Sequence, residues 1–437
     1  MERKEKLFSH PSLREFFVDE ALIRFRDEDI TALDAEVIAY ESASPNDIRQ
    51  ALINRNEIMS SYAISQAEKS SSITPKMAGE IRTHYDTDPH LAFRVDAADI
   101  REIEQNFDRQ EFLNILKTFR WVSANGINYK DLSLGLLSDI HRKLTFRMDD
   151  FREKFFDVLP EMAARSKSEE GKFHWYHPGE YRSTDDTIVG TYKPVSHKHV
   201  KGALKDAIEF YKREPSLINL NIFTAVLYAI HPFSNGNKRL CRIIEHALMR
   251  DLGLNRRNIY GHSYYFYREL DRFYQNLARS LETRNLCPIV NFSREGIFFS
   301  MLLAYEEGIK NRRRMFLDVK KKRFGNKTKV LTRLVGKKEA GFGELQKSVG
   351  RSLTKRSLIN YLNMFLAEGV VEKRKMGRET YYSLKLDLPE EKRIKEHLRQ
   401  SQVSLPYIPR SLSDVVYQTE RLQAELNLSH TAGKSSK

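Results

Sequence analysis

The sequence predicts a mainly α-helical chain that ends in a small α+β unit. Three observations point there. Apolar residues recur at helical spacing through most of 46–300, strand-like alternation is confined to short runs near 187–192 and 370–384, and the charge balance changes near residue 300. With 437 residues and 41% apolar content, the chain is long enough for two or three domains. Its net charge of +14 is uneven: residues 301–437 hold 30 Lys and Arg against 15 Asp and Glu, whereas residues 1–300 hold 43 against 44. A near-neutral front and a basic back end predict an acidic partner for the back end, nucleic acid first. No apolar run reaches the 18 residues that suggest a membrane span, and Met1–Lys6 lacks the apolar segment of a secretory signal. Cys241 and Cys287 lie far apart, so both are read as reduced thiols of a cytoplasmic protein.

In chain order, residues 1–45 show mixed helical periodicity without a motif. Ser44-Pro45-Asn46-Asp47 is a good helix start, and apolar positions 48, 52, 59 and 63 carry one amphipathic helix to Gln66. A polar break at 70–74 precedes a second helical stretch, with Ile100, Ile103, Phe107, Phe112, Ile115, Leu116 and Phe119 on one face. A third covers Leu136–Leu144, where His141 is expected to make a structural polar contact. Residues 165–172 are charged and loop-like. Thr187–Tyr192 alternates β-formers between glycines and predicts a hairpin. His174, His177, His197 and His199 lack the partner pattern of a zinc site, so none is expected there. Residues 264–281 predict one helix through Tyr267, Leu270, Phe273, Tyr274 and Leu277, with Tyr274 expected mainly in the core.

The richest stretch is His231-Pro232-Phe233-Ser234-Asn235-Gly236-Asn237-Lys238-Arg239-Leu240-Cys241-Arg242. Apolar residues lead in from Ile222 to Ile230 and lead out at 240, 243, 244, 247 and 248, so two helices flank a polar turn. Pro232 and Gly236 force that turn. The next helix then opens with unpaired N–H groups, which attract anions. Arg239 and Arg242 lie three apart and could aim two guanidinium forks at a polyphosphate. His231 is the group there that can take up a proton near neutral pH.

With His231, Phe233, Gly236, Asn237, Lys238, Arg239 and Arg242 in register, the stretch resembles the active-site loop of the Fic (Fido) family. The resemblance implies a protein adenylyltransferase that uses ATP and magnesium and places AMP on a Ser, Thr or Tyr hydroxyl of a target protein. His231 would be the base and Phe233 the anchor of the loop. Gly236, Asn237 and Lys238 would meet the nucleotide, and Arg239 and Arg242 its outer phosphates. The family usually has an acidic magnesium ligand where this chain has Asn235, which leaves open a weaker metal site, a site needing another ligand, or a domain that binds nucleotide without turnover. Lys238 also matches the Doc branch, whose members transfer the γ-phosphate, so a phosphotransferase is the alternative. The family's flap and Gly-x-Tyr-Arg segment clamp the target, which makes Ile188, Val189 and Gly190 the expected dock beside Gly179-Glu180-Tyr181-Arg182. Many relatives carry an inhibitory helix whose Glu pairs with the second loop arginine. Aligned here from Ser61, that position is Ser65, so the brake would lack its carboxylate, with Glu68 one turn away.

Residues 301–325 read as a basic connecting helix, and the stretch after it looks like a winged helix. A first helix holds Leu331, Leu334 and Val335, a second begins at Phe342, a third covers Leu353–Glu368, and a hairpin wing follows with Gly377 at its turn. Arg351, Lys355 and Arg356 lead the third helix, and Lys373, Arg374, Lys375 and Arg378 lie on the wing. DNA is the expected partner, a protein the alternative. Beyond Leu386 the sequence predicts one more charged helix, a Pro-containing link at 405–409, a weak amphipathic piece at 412–426 and a disordered tail. The expected organisation is therefore an N-terminal helical region (1–110), a Fic core with a hairpin flap (111–300), a basic linker helix (301–326), a winged helix (327–386) and a C-terminal helix with its tail (387–437). A homodimer is left open.

Overall fold

A computed structural model of the chain describes residues 7–68, 71–96, 99–158 and 175–401. The expected loop at 165–172, His174 and the pieces after residue 401 fall outside them. The chain divides into two compact units, Met1–Ile38 with Ile53–Ser300, and Ala39–Leu52 with Met301–Lys437. Helices dominate both.

The helices are α1 Asp27–Ala43, α2 Asn46–Ser65, α3 Pro75–Thr87, α4 Ile100–Asn125, α5 Leu134–Leu144, α6 Met148–Val158, α7 Val200–Arg213, α8 Leu217–Ile230, α9 Asn237–Asp251, α10 His262–Arg268, α11 Leu270–Thr283 and α12 Cys287–Phe324. Short polar residues set several starts. Thr74, Asp99, Ser133 and Ser216 each accept a hydrogen bond from a first-turn N–H of the helix that follows. α8 is apolar on every side and buried almost end to end, as a helix at the centre of a fold should be. α9 is buried from Arg239 to Met249 although it carries Arg239, Arg242, Glu245 and His246. α8 packs between α7 and α9, and α9 packs on α4 and α5. Tyr62, Ala78, Ile81, Phe112, Leu113 and Leu116 join α2, α3 and α4 in a separate apolar cluster.

The second unit holds the rest of α12 from Met301, then α13 Arg333–Gly336, β1 Glu339–Gly341, α14 Phe342–Val349, α15 Lys355–Ala367, β2 Val371–Met376, β3 Glu379–Leu384 and α16 Pro389–Ser401. The strands form an antiparallel sheet in the order β1-β3-β2, with Val371 opposite Leu384 and Ala340 opposite Tyr382. Gly377, at φ 60°, opens the two-residue turn between β2 and β3, where a positive φ suits the twist of the strands. Leu331, Leu334, Leu345, Leu358, Leu362 and Phe365 fill the core beneath.

The basic stretch after residue 301 continues α12 from Cys287 without a break, and two other expectations change. The helix expected over 264–281 breaks into α10 and α11 at Glu269, which leaves helical geometry (φ −109°, ψ 33°) while its side chain is buried near Arg272. The hairpin expected at 187–192 shrinks to one bridge, Val189 to Tyr192, with hydrogen bonds of 3.0 Å in both directions. Pro194 has no N–H to extend it.

Candidate active site

α8 ends at Ile230, and His231 follows in the left-handed region (φ 49°, ψ 65°), its N–H bonded to the Leu227 carbonyl at 2.9 Å. A non-glycine residue in that conformation needs support. The buried Arg182 guanidinium gives it: Nε donates to the His231 carbonyl at 2.8 Å and Nη2 to the Ile230 and Val195 carbonyls, while the Arg182 N–H binds the Pro232 carbonyl at 3.0 Å. Orphan carbonyls at a helix end are thereby satisfied by a side chain that arrives from the flap segment. Arg182 was expected to help clamp a target; instead it fixes the turn that carries His231. Its neighbour Tyr181 likewise turns inward, donating to the Leu134 carbonyl at 2.7 Å.

The loop closes on itself. Phe233 is fully buried, stacked on His141 with ring centres 3.8 Å apart. The Asn237 side chain donates to the Phe233 carbonyl at 2.7 Å and accepts from its N–H at 2.9 Å, so this amide holds the turn. His141 Nδ1 accepts from the Gly179 N–H at 3.0 Å, which leaves Nε2 to donate to the Asn235 carbonyl at 2.9 Å. Burial pushes the His141 pKa down to about 3, so it is a neutral strut. Gly236 sits at φ 75°, and a Cβ there would come within 3.1 Å of His141 Nε2. Only glycine suits that position.

Beyond the loop lies a cavity of about 430 Å³, lined by Asp186, Thr187, Ile188, Val189 and Gly190 of the flap, by Tyr228 and His231 of α8 and its end, by Ser234, Asn235, Gly236, Asn237 and Lys238 of the loop and α9, and by Tyr274 and Leu277 of α11. The start of α9 opens onto it, where first-turn N–H groups and the helix dipole favour an anion. Lys238 Nζ donates to the Tyr274 hydroxyl at 3.0 Å, and that hydroxyl donates to the Ala67 carbonyl at 2.8 Å. The structure thus brings together His231, Asn235, Gly236, Lys238 and the expected dock.

Arg239 and Arg242, expected at the outer phosphates, are not among the residues that line the cavity. Both guanidinium groups are buried in the core: Arg239 pairs with Glu111 at 3.0 Å, and Arg242 with Glu245 at 2.7 Å and the Tyr228 hydroxyl at 2.8 Å, lying 3.3 Å over the Phe266 ring. Burial alone would raise the Glu245 carboxyl, but neighbouring His262 and Arg242 hold it below its ordinary value. Two buried carboxylates draw the arginines inward, since unpaired charges there would be strongly unfavourable. Ser61 and Ser65 are likewise buried in α2, with the Ser65 hydroxyl on the Tyr62 carbonyl at 2.8 Å. What links that segment to the cavity is Ala67, through Tyr274.

Asn235 Oδ1 accepts the Gly236 N–H at 2.9 Å, and Asp186 is the one carboxylate among the described lining residues. No group of three His, Cys, Asp or Glu suited to a metal occurs among the described residues. Magnesium usually takes only one or two carboxylates together with phosphate oxygens, and at this cavity Asp186 and the Asn235 amide are the residues that would hold it. His197 is occupied differently, its Nδ1 3.1 Å from Asp185.

Arg182, Asp186, Tyr228, Glu111 and Glu245 were not singled out for these places by the sequence. A carboxylate three residues after Arg242 was the one available signal.

No curated relative matches this chain by sequence. Among solved structures, a Fic family protein from Desulfovibrio desulfuricans is 14% identical with a TM-score of 0.44, covering 83% of this chain and 96% of that one. A Fic-domain signalling protein from Bacteroides thetaiotaomicron is 10% identical at 0.44, covering 64% and 97%. Fic-1 from C. elegans is 14% identical at 0.42, covering 64% and 71%. The Fic/DOC family model matches residues 131–249, the segment that contains His231 to Arg242, and the chain carries a Fic/DOC domain there.

Proposed function

We propose that the Fic/DOC domain is a protein adenylyltransferase. Domains of this family typically transfer nucleotides or phosphate to proteins. His231 takes the proton from a Ser, Thr or Tyr hydroxyl of the target, the freed oxygen attacks the α-phosphorus of ATP, the bond from that phosphorus to the bridging oxygen breaks, and diphosphate leaves. The start of α9 and Lys238 steady the phosphates, and the exposed Ile188 with Val189 and Gly190 receives the target chain. The observation that carries this reading is the shared cavity: base, anion-binding helix start, ammonium and flap face one space.

Transfer to protein from ATP labelled at the α-phosphate tests it. Label should appear with wild type and fall by roughly 10²–10⁴-fold in His231→Ala. Lys238 on the cavity wall favours a second reading, a phosphotransferase, in which γ-label transfers and α-label does not.

For the second unit we propose a winged helix that binds DNA. Its helix and strand order supports this, as do Lys355 and Arg356, exposed in the first turn of α15 where the helix dipole disfavours cations. Lys373 and Arg374 are both exposed on β2, Arg374 with a surface ion pair to Glu339 at 2.7 and 2.9 Å.

A further inference from the structure

We infer that α15 reads base edges as well as gripping phosphate, and that the duplex it selects carries two neighbouring A·T pairs. The inference rests on the DNA-binding reading of the second unit and names what that surface recognises. α15 buries Leu358, Leu362 and Phe365 in the core, which leaves Ile359, Asn360 and Asn363 exposed on the side away from it. Lys355 and Arg356 stand exposed at its start. α15 contains no acidic residue, whereas α14 and α16 do, and the Glu368 carboxylate that follows it is paired with Arg323 at 2.8 Å. A face without carboxylates can approach a polyanion closely.

The chemistry of that face differs from that of a helix that needs only solvation. Asn and Ile are weaker helix formers than Lys, Arg, Glu or Gln, which fill the exposed positions of α16 at Lys392, Arg393, Glu396, Arg399 and Gln400. What Asn offers instead is a carboxamide, whose acceptor and donor match the N6 donor and N7 acceptor of adenine in the major groove. Ile359, 41% exposed, offers an apolar surface to the thymine methyl group. At about 1.5 Å per residue, Asn360 and Asn363 stand about 4–5 Å apart along the helix, close to one base-pair step of about 3.4 Å, so they meet neighbouring pairs. Lys373 and Lys375 share the face of β2 on which Val371 enters the core that α15 also fills, and so project on the side of that helix to meet phosphate.

Selection by the full chain from a pool of duplexes with randomised centres tests this. Anisotropy titrations of the enriched duplex and of its scrambled form, at several salt concentrations, then compare wild type, Asn360→Ala and Asn363→Ala. Alanine is the better helix former, so neither exposed substitution endangers the fold. Wild type should enrich two neighbouring A·T pairs and prefer that duplex by about 10²-fold, roughly tenfold for each carboxamide. Each variant should lose about tenfold on the enriched duplex and nothing on the scrambled one, with an unchanged salt slope. Equal binding to every duplex, enrichment of G·C pairs, or variants that keep the full preference would overturn the readout and leave DNA binding standing. Absence of binding to any duplex would overturn the DNA reading as well and make α15 a face for a protein partner.

Discussion

His141 has two ring nitrogens, and each is used to join separate parts of the chain, Gly179 on one side and Asn235 on the other. Its protonation would remove the acceptor that Gly179 needs. In the unfolded chain a histidine takes up its proton below about pH 6.5, whereas folded His141 resists until about pH 3. Between those values the unfolded state binds more protons, so stability falls as pH falls. The contribution lost by pH 5 is about 2 kcal/mol. His246, also pushed well below its ordinary value by burial, acts in the same direction. His141→Gln should therefore unfold with a shallower dependence on pH between 6.5 and 5 than wild type, measured by urea denaturation at each pH. Equal slopes would remove His141 as the strut described. A structural contact for this histidine was legible in the leucine-rich pattern of 136–144, but its two partners were not, because they lie in loops that the helical repeat does not reach.

At the scale of elements, the turn after α8 depends on a residue outside it. Arg182 gathers the carbonyls that the end of α8 leaves over, so Arg182→Met should strand several buried acceptors. We expect a loss of about 2–4 kcal/mol in urea unfolding, with labelled transfer lost and the helical content kept. Wild-type stability in that variant would show that water serves the carbonyls equally well. The helices themselves were legible from apolar spacing, and so was the turn, since Pro232 and Gly236 permit little else. The destinations of Arg239 and Arg242 were not. Spacing three apart tells which side of α9 they leave from, but Glu111 comes from α4, far earlier in the chain, and a buried carboxylate outweighs an expected ligand. Glu269 escaped notice for a similar reason: a polar residue within a helical pattern gives no sign that its side chain will turn inward and break the helix.

Over the whole molecule, composition separates a near-neutral front from a basic back end, and the described chain divides into two units close to where that change occurs. No helix among the described residues is long and apolar enough to cross a membrane. Charge counts do not reveal which cations are already paired. Arg374 is paired with Glu339, and it stands exposed along with Lys355 and Arg356. If the second unit binds DNA, Lys355→Ala and Arg356→Ala should each reduce the slope of log affinity against log salt by about 1 and leave labelled transfer unchanged. Unaltered slopes in duplex-DNA titrations would instead direct attention to a protein partner.

One helix touches both sides of the cavity. α11 contributes Tyr274, which pins the ammonium, and Glu282, which accepts a hydrogen bond from Thr191 at the tip of the flap. Under the proposed function, a shift of this single rod would displace the nucleotide and target sites in the same stroke. Two substrates that share such a lever are not felt independently, so the Michaelis constant of either should depend on how full the other's seat is.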